Sequence, residues 1–320
     1  MKYILFLVTM LILSCTSEDN SSTQVITDIT DAIFLSRNAN CNDYVNQFNS
    51  NVQDIGNSSF FSGSVSITID NEKCQFSSNS IPNHNFNDGP TKFANDVDYV
   101  ESTYSITSMP SVAESITDLS IQYDNAIFLN GAKLDLIAAA CKGVSDEKKG
   151  CGADKGVDEY WRFDPMYSGN NFGTDTHNAH AQPNGAYHYH GDPKAMYDTS
   201  GKKESPLIGF AADGFPIYGP YISDNGSIRK VKSCYELKSG ARVALPNQVA
   251  GAQFNPGGTY DGTYIQDYEY NQAAQIAGTC DLDECNGMTR NDIYGYYVTD
   301  SYPWVLNCFK GTPDQSFRKN

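Results

Sequence analysis

"SGSVSITIDNEKCQFSSN", residues 62–79, decides the fold class. Val65, Ile67 and Ile69 alternate with Ser64, Ser66 and Thr68. That period of two, carried by β-branched side chains, is the signature of a half-buried strand. Asn71-Glu72 then reads as a turn into a second strand through Cys74. The alternation returns in YVESTYSI (99–106), LSIQYDNAIFLNG (119–131) and LIGFAADGFPIYG (207–219), with Gly, Asn, Asp and Pro at the breaks. The chain is 320 residues long and carries 26 glycines, 21 tyrosines and 16 phenylalanines, with few long amphipathic stretches. The expectation is a mainly β fold: a single disulfide-clipped β domain with long loops and a minor helix, over residues 55–312. GAKLDLIAAACKG (131–143) is the best helix candidate, because Leu134, Leu136, Ile137 and Ala140 recur at helical spacing. Residues 32–55 read as a short helix or capping segment, and residues 313–320 as a tail.

The N-terminus has a different character. MKYILFLVTMLILS (1–14) holds one lysine and an apolar run from Tyr3 to Leu13. The run is too short to span a bilayer and has the length of a signal-peptide core. ILSC (12–15) resembles the lipobox of bacterial lipoproteins. That resemblance implies cleavage before Cys15, lipid on its thiol, and a mature protein held on a membrane. An ordinary secretory signal with a chance cysteine is the competing reading. Residues 15–54 then form a lipid-anchored tether and N-terminal segment; TSEDNSSTQVITDITD (16–31) is polar and short of aromatics. Its acidic patch directly after the cysteine resembles surface-export signals of some Gram-negative lipoproteins, which points to the outer membrane.

The formal net charge is −16 and becomes −17 once residues 1–14 and their single lysine are removed. Such a chain repels phosphate backbones, which argues against nucleic acid as a partner. Setting Cys15 aside, eight cysteines remain, an even number suited to disulfides in an oxidising compartment. Cys141 and Cys151 bracket a short loop and form the natural local pair. Cys234, Cys280, Cys285 and Cys308 are expected to pair among themselves; a metal site on Cys280 and Cys285 is the weaker alternative, because their spacing lacks the bite of C-x2-C.

The chain has five histidines, and His177, His180, His188 and His190 fall within fourteen positions. Ala186–Gly191 reads as a strand, so His188 and His190 share one face while Tyr187 and Tyr189 take the other. Gln182-Pro183-Asn184-Gly185-Ala186 reads as a hairpin turn, with Gly at the left-handed position of a three-residue loop. That loop pairs Gln182 with Ala186 and sets His180 opposite His188. A four-residue loop would place His180 opposite Tyr189 and split the set. Three imidazoles with a free position describe a functional zinc or copper site. Asp192 or Asp175 could complete the shell or orient a ring. A hydrogen-bonded aromatic core is the bland alternative. PNGAYHYHGD (183–192) and NDIYGYYVTD (291–300) form a weak internal echo, with Gly295 and Tyr297 in the places of His188 and His190; chance similarity in a tyrosine-rich chain is the stronger reading of it.

In LIGFAADGFPIYG, Asp213-Gly214 is a two-residue turn signal; Asp213 is either that turn residue, a ligand or a base. Taken with "YHYHG", the stretch "DGFPIYG" resembles the signature pair of the YHYH family of exported proteins. SNSIPNHNF (78–86), HNAHAQPNGAYHYHGDP (177–193) and LDECNG…YGYYVTDSYPWVLNCFKG (282–311) fit the same family, so the resemblance covers about residues 58–311. It implies that His84, the fifth histidine, belongs to a family motif and is a further candidate ligand. It supplies no settled activity. The candidate metal set is therefore His180, His188 and His190, then His177 and His84, with Asp213 and Asp192 as supporting carboxylates.

DLDECNG (281–287) places Asp281, Asp283 and Asn286 close together, a calcium-like cluster without the spacing or flanking helices of an EF-hand. Serine hydrolysis has no G-x-S-x-G to support it. Trp161 and Trp304 could form a carbohydrate-stacking surface or pack the core. The expectation is an exported lipoprotein binding a transition metal; the alternative is a non-catalytic extracellular ligand-binding or adhesion module, with a small molecule or glycan as its ligand.

Overall fold

The computed structural model describes residues 26–144, 146–147, 150–151, 159–245 and 255–319. The signal segment and Cys15 lie outside them. The fold is mainly β, and two sheets carry most of it. The first has five strands in the order Thr27–Asp28, Asn46–Asp54, Ser59–Asp70, Lys73–Ser78 and Ser102–Thr107. The stretch at 62–79 forms the hairpin its alternation predicts, with Asn71 at φ 56° in the turn. Val65, Ile67, Cys74 and Phe76 of this hairpin are buried.

The second sheet has eight strands, in the order Gly287–Arg290, Ile293–Tyr297, Pro216–Tyr218, Leu207–Ala211, Ala126–Phe128, Lys133–Leu134, Tyr187–Tyr189 and Ala179–Ala181. The two echo segments are both hairpin strands and sit toward opposite ends of this sheet. Only the first has room for a side chain at the equivalent place. A Cβ on Gly295 would lie 2.7 Å from Tyr218 Cε2 and 3.1 Å from Pro216 O. One apolar core joins the two sheets. Phe210 of the second meets Phe76 of the first with ring centroids 6.0 Å apart, and Ser78 Oγ donates to Gly131 O at 2.6 Å.

Four disulfides clip the loops: Cys41–Cys74, Cys141–Cys151, Cys234–Cys280 and Cys285–Cys308. The local pair and the C-terminal foursome pair as expected, and Cys280 and Cys285 belong to different bridges. Each bridge narrows the unfolded ensemble.

Four expectations need correction. GAKLDLIAAACKG forms no helix: Lys133–Leu134 is a strand and the rest is irregular. Residues 124–138 are buried without interruption, so their apolar spacing records complete burial and carries no period. The minor helix is instead Gln272–Ile276, capped by Asn271. The segment before residue 55 contributes a nine-residue strand, Asn46–Asp54, and a 3-10 turn at Cys41–Tyr44. Finally, Asp213-Gly214 is not a two-residue turn. Ala211 N donates to Phe215 O at 2.9 Å, which leaves the three residues 212–214 in the loop. The C-terminal residues also pack: Phe317 is buried against Tyr104, with ring centroids 4.5 Å apart. Among the described residues, no helix is long and apolar enough to cross a membrane.

Candidate metal centre

The turn sets the register. Gln182 N donates to Ala186 O and Gly185 N to Gln182 O, both at 2.9 Å. His188 therefore pairs directly with His180, and His190 N donates to Asn178 O at 2.8 Å. Gly185 is required here. Its φ is 92°, and a Cβ would come within 2.6 Å of Asp98 Cβ and 2.9 Å of Asp98 N. Gly185→Ala is expected to cost about 1–2 kcal/mol from the left-handed backbone alone, with the Asp98 contact adding to it. Urea unfolding would measure this, and an unchanged midpoint would count against the tight-turn account.

The hairpin brings His180, His188 and His190 together. His188 Nε2 lies 3.0 Å from His190 Nε2, which lies 3.1 Å from His180 Nε2. The three ligand atoms fall within 4.8 Å of one another, the one metal-type cluster among the described residues. His188 and His190 are buried, and His180 is partly so. The tautomers follow from the outer contacts. His180 Nδ1 faces Phe172 O at 3.0 Å, and His188 Nδ1 faces Ala186 O at 3.3 Å. Carbonyls only accept, so both protons sit on Nδ1 and both Nε2 lone pairs point inward. A proton on His190 Nε2 satisfies one of its two contacts and leaves the other lone pair to lone pair. Burial holds His188 and His190 well below the usual imidazole range, first by desolvation and then by the neighbouring imidazoles. Burial likewise lowers His180. Extra protons are thus disfavoured where a positive charge is wanted. Neutral imidazoles with converging lone pairs fit a zinc or copper ion, whose ligand nitrogens in tetrahedral geometry stand about 3.3 Å apart. His190 Nδ1 is buried without a hydrogen-bond partner.

One side of the triad opens on a cleft of about 710 Å³. Ile137, Ala138, Phe172 and Pro183 give it an apolar wall, and Asp135, Gln182 and Lys319 add polar groups. Lys319 Nζ donates to Asp135 Oδ2 at 2.5 Å and Gln182 Nε2 to the same oxygen at 2.9 Å. Asp135 lies in the stretch that looked helical and Lys319 in the supposed tail, so no local signal pointed to either.

The other candidates lie elsewhere. His84 and His177 form a separate pair on the tyrosine face, with ring centroids 4.0 Å apart. His84 Nδ1 donates to Asn85 O at 2.7 Å, leaving Nε2 to accept the Tyr189 hydroxyl at 2.6 Å. Burial, helped by His177, pushes His84 down to about 3. Asp175 accepts the Tyr187 hydroxyl at 2.8 Å, and Asp192 accepts Tyr197 on both oxygens. Asp213 is a buried corner. It accepts the Tyr296 hydroxyl at 2.6 Å, Gly311 N at 2.9 Å and Phe215 N at 3.3 Å. The calcium-like loop does not converge its ligands. Asp281 is held by Arg229 at 2.8 Å through both oxygens. Asp283 accepts Cys285 N and Gly287 N, and Asn286 is buried with its amide on Tyr297 O and Val305 O.

The model of the family described as YHYH protein matches residues 103–311, about two thirds of the chain. The chain belongs to that family. The match includes the triad, His177, Asp192 and Asp213 and begins after SNSIPNHNF, so His84 falls outside it. No curated protein and no solved structure matches the chain.

Proposed function

We propose that this YHYH protein is an exported lipoprotein that binds one zinc or copper ion through His180, His188 and His190, with a coordination position left open toward the cleft. The observation that carries the reading is three converging imidazole nitrogens, at least two of them with inward lone pairs, and too few protons to satisfy their contacts. Three protein ligands and an open position suit a functional site, whereas structural zinc sites are closed by four. The bound ion would supply Lewis acidity toward a water molecule or, as copper, a redox couple. The chain's own residues would orient the rings, through the carbonyls of Phe172 and Ala186, and offer the cleft to a ligand. Export is supported by four disulfides, and anchoring by the lipobox-like ILSC ahead of Cys15.

Protein purified from its native membrane without an affinity tag tests both parts. Elemental analysis should give close to one zinc or copper per chain, and mass spectrometry a mature chain starting at lipidated Cys15. Metal-free protein whose melting temperature ignores added zinc and copper would remove the metal reading. A mature N-terminus without lipid would remove the anchor alone. The different reading, a non-catalytic binding module, draws on the apolar wall of the cleft. It predicts the metal-free outcome.

A further inference from the structure

A second pocket, of about 380 Å³, shares Ile137 with the histidine cleft but has a different chemistry. Tyr235, Tyr268, Tyr302 and Trp304 line it, with Asp164 and Lys238 among its polar groups. The rings are held in place. Tyr268 and Tyr302 stack with centroids 4.3 Å apart and planes 2° from parallel, and Tyr235 meets Tyr302 edge-on at 5.3 Å. Trp304 donates its indole N–H to both oxygens of the buried Asp164 at 3.2 Å. Its backbone sits at φ 69°, a left-handed conformation that an aromatic residue rarely adopts. Such strain, where the surroundings impose it, clusters at ligand clamps. The chain's other tryptophan, Trp161, is 1% exposed and packs against Tyr264 in the core. Trp304 is half-buried and faces the pocket.

Flat aromatic faces beside a few hydrogen-bonding groups suit a ligand that is apolar on one face and hydroxylated around its edge. A pyranose ring is that shape: its C–H face lies on an aromatic ring while each hydroxyl both donates and accepts. Asp164 is raised to about 7 by burial, so near neutrality it can accept from one hydroxyl or donate to another. Lys238 spends one donor on Gln266 O at 2.8 Å and keeps two more. A neutral sugar suits the pocket better than an acidic one, because a chain of net charge −16 repels anions. We propose that this pocket binds a neutral saccharide, seated on Trp304 and Tyr268 with its hydroxyls on Asp164 and Lys238. The site is independent of the metal.

Affinity electrophoresis in native gels tests the proposal, using laminarin, xylan, galactomannan and starch as neutral polymers and alginate as an acidic one. At least one neutral polymer should retard the protein. Trp304→Ala and Lys238→Ala should each weaken that retardation at least tenfold, and His188→Ala with His190→Ala should leave it intact. Trp304→Phe preserves the packing and should weaken binding less than alanine, which guards against a folding defect. No retardation by any neutral polymer, retardation by alginate alone, or equal retardation of the Trp304→Ala and Lys238→Ala proteins would overturn the proposal.

Discussion

If the triad holds a metal as proposed, replacing His188 and His190 together by alanine is expected to abolish metal binding and the stabilisation that would come with it. One imidazole from His180 cannot hold a transition ion alone. A ligand that binds only the folded chain at 100 times its dissociation constant stabilises by about 2.7 kcal/mol. For a domain of this size that is a loss of about 5–10 °C in melting temperature on metal removal. The wild-type protein should therefore melt lower after chelation and recover on adding zinc or copper, while the double variant should melt at one temperature throughout. A double variant that still recovers would place the ion elsewhere. The side chains lost are buried, so the variant starts from a lower stability. The comparison is the metal response within each protein.

The second large effect separates structure from metal chemistry at Asp213. Asp213→Ala is expected to destabilise the fold by about 2–6 kcal/mol, since two buried donors stripped of their acceptor cost about 1–3 kcal/mol each. The Tyr296 hydroxyl and Gly311 N are those donors. The metal content should not change. Loss of metal with little loss of stability would return Asp213 to the ligand set, against its placement at the corner between the 207–218 hairpin and the C-terminal segment.

The parts of this molecule that local patterns govern were legible in the sequence. Val65 and Ile67 alternate because one face of their strand is buried, and Pro183-Asn184-Gly185 determines a turn, hence a register, hence three histidines on one face. Cysteine spacing gave one bridge and confined two others to a group of four. Long-range neighbours were not legible. His84 and His177 meet each other, and His84 meets Tyr189, through packing between the two sheets that no local pattern encodes. The stretch that begins at Gly131 imitates a helix because every residue from Gly131 to Ala138 is buried, and under complete burial hydrophobic spacing stops discriminating. Asp281 and Asp283 looked like an ion site only while Arg229 and the backbone donors of their own loop were out of sight. Asp135 and Lys319, nearly two hundred residues apart, become neighbours of the triad only when the C-terminal segment closes over it.

The most direct test of the central claim is anomalous diffraction from crystals of protein purified in its native metal state, recorded on both sides of the zinc and copper absorption edges. The account predicts one peak per chain, at about 2.0–2.1 Å from the Nε2 atoms of His180, His188 and His190, with the remaining coordination position facing the cleft. A triad with no anomalous peak, or a peak held by other residues while these three imidazoles bond only to one another, would contradict it.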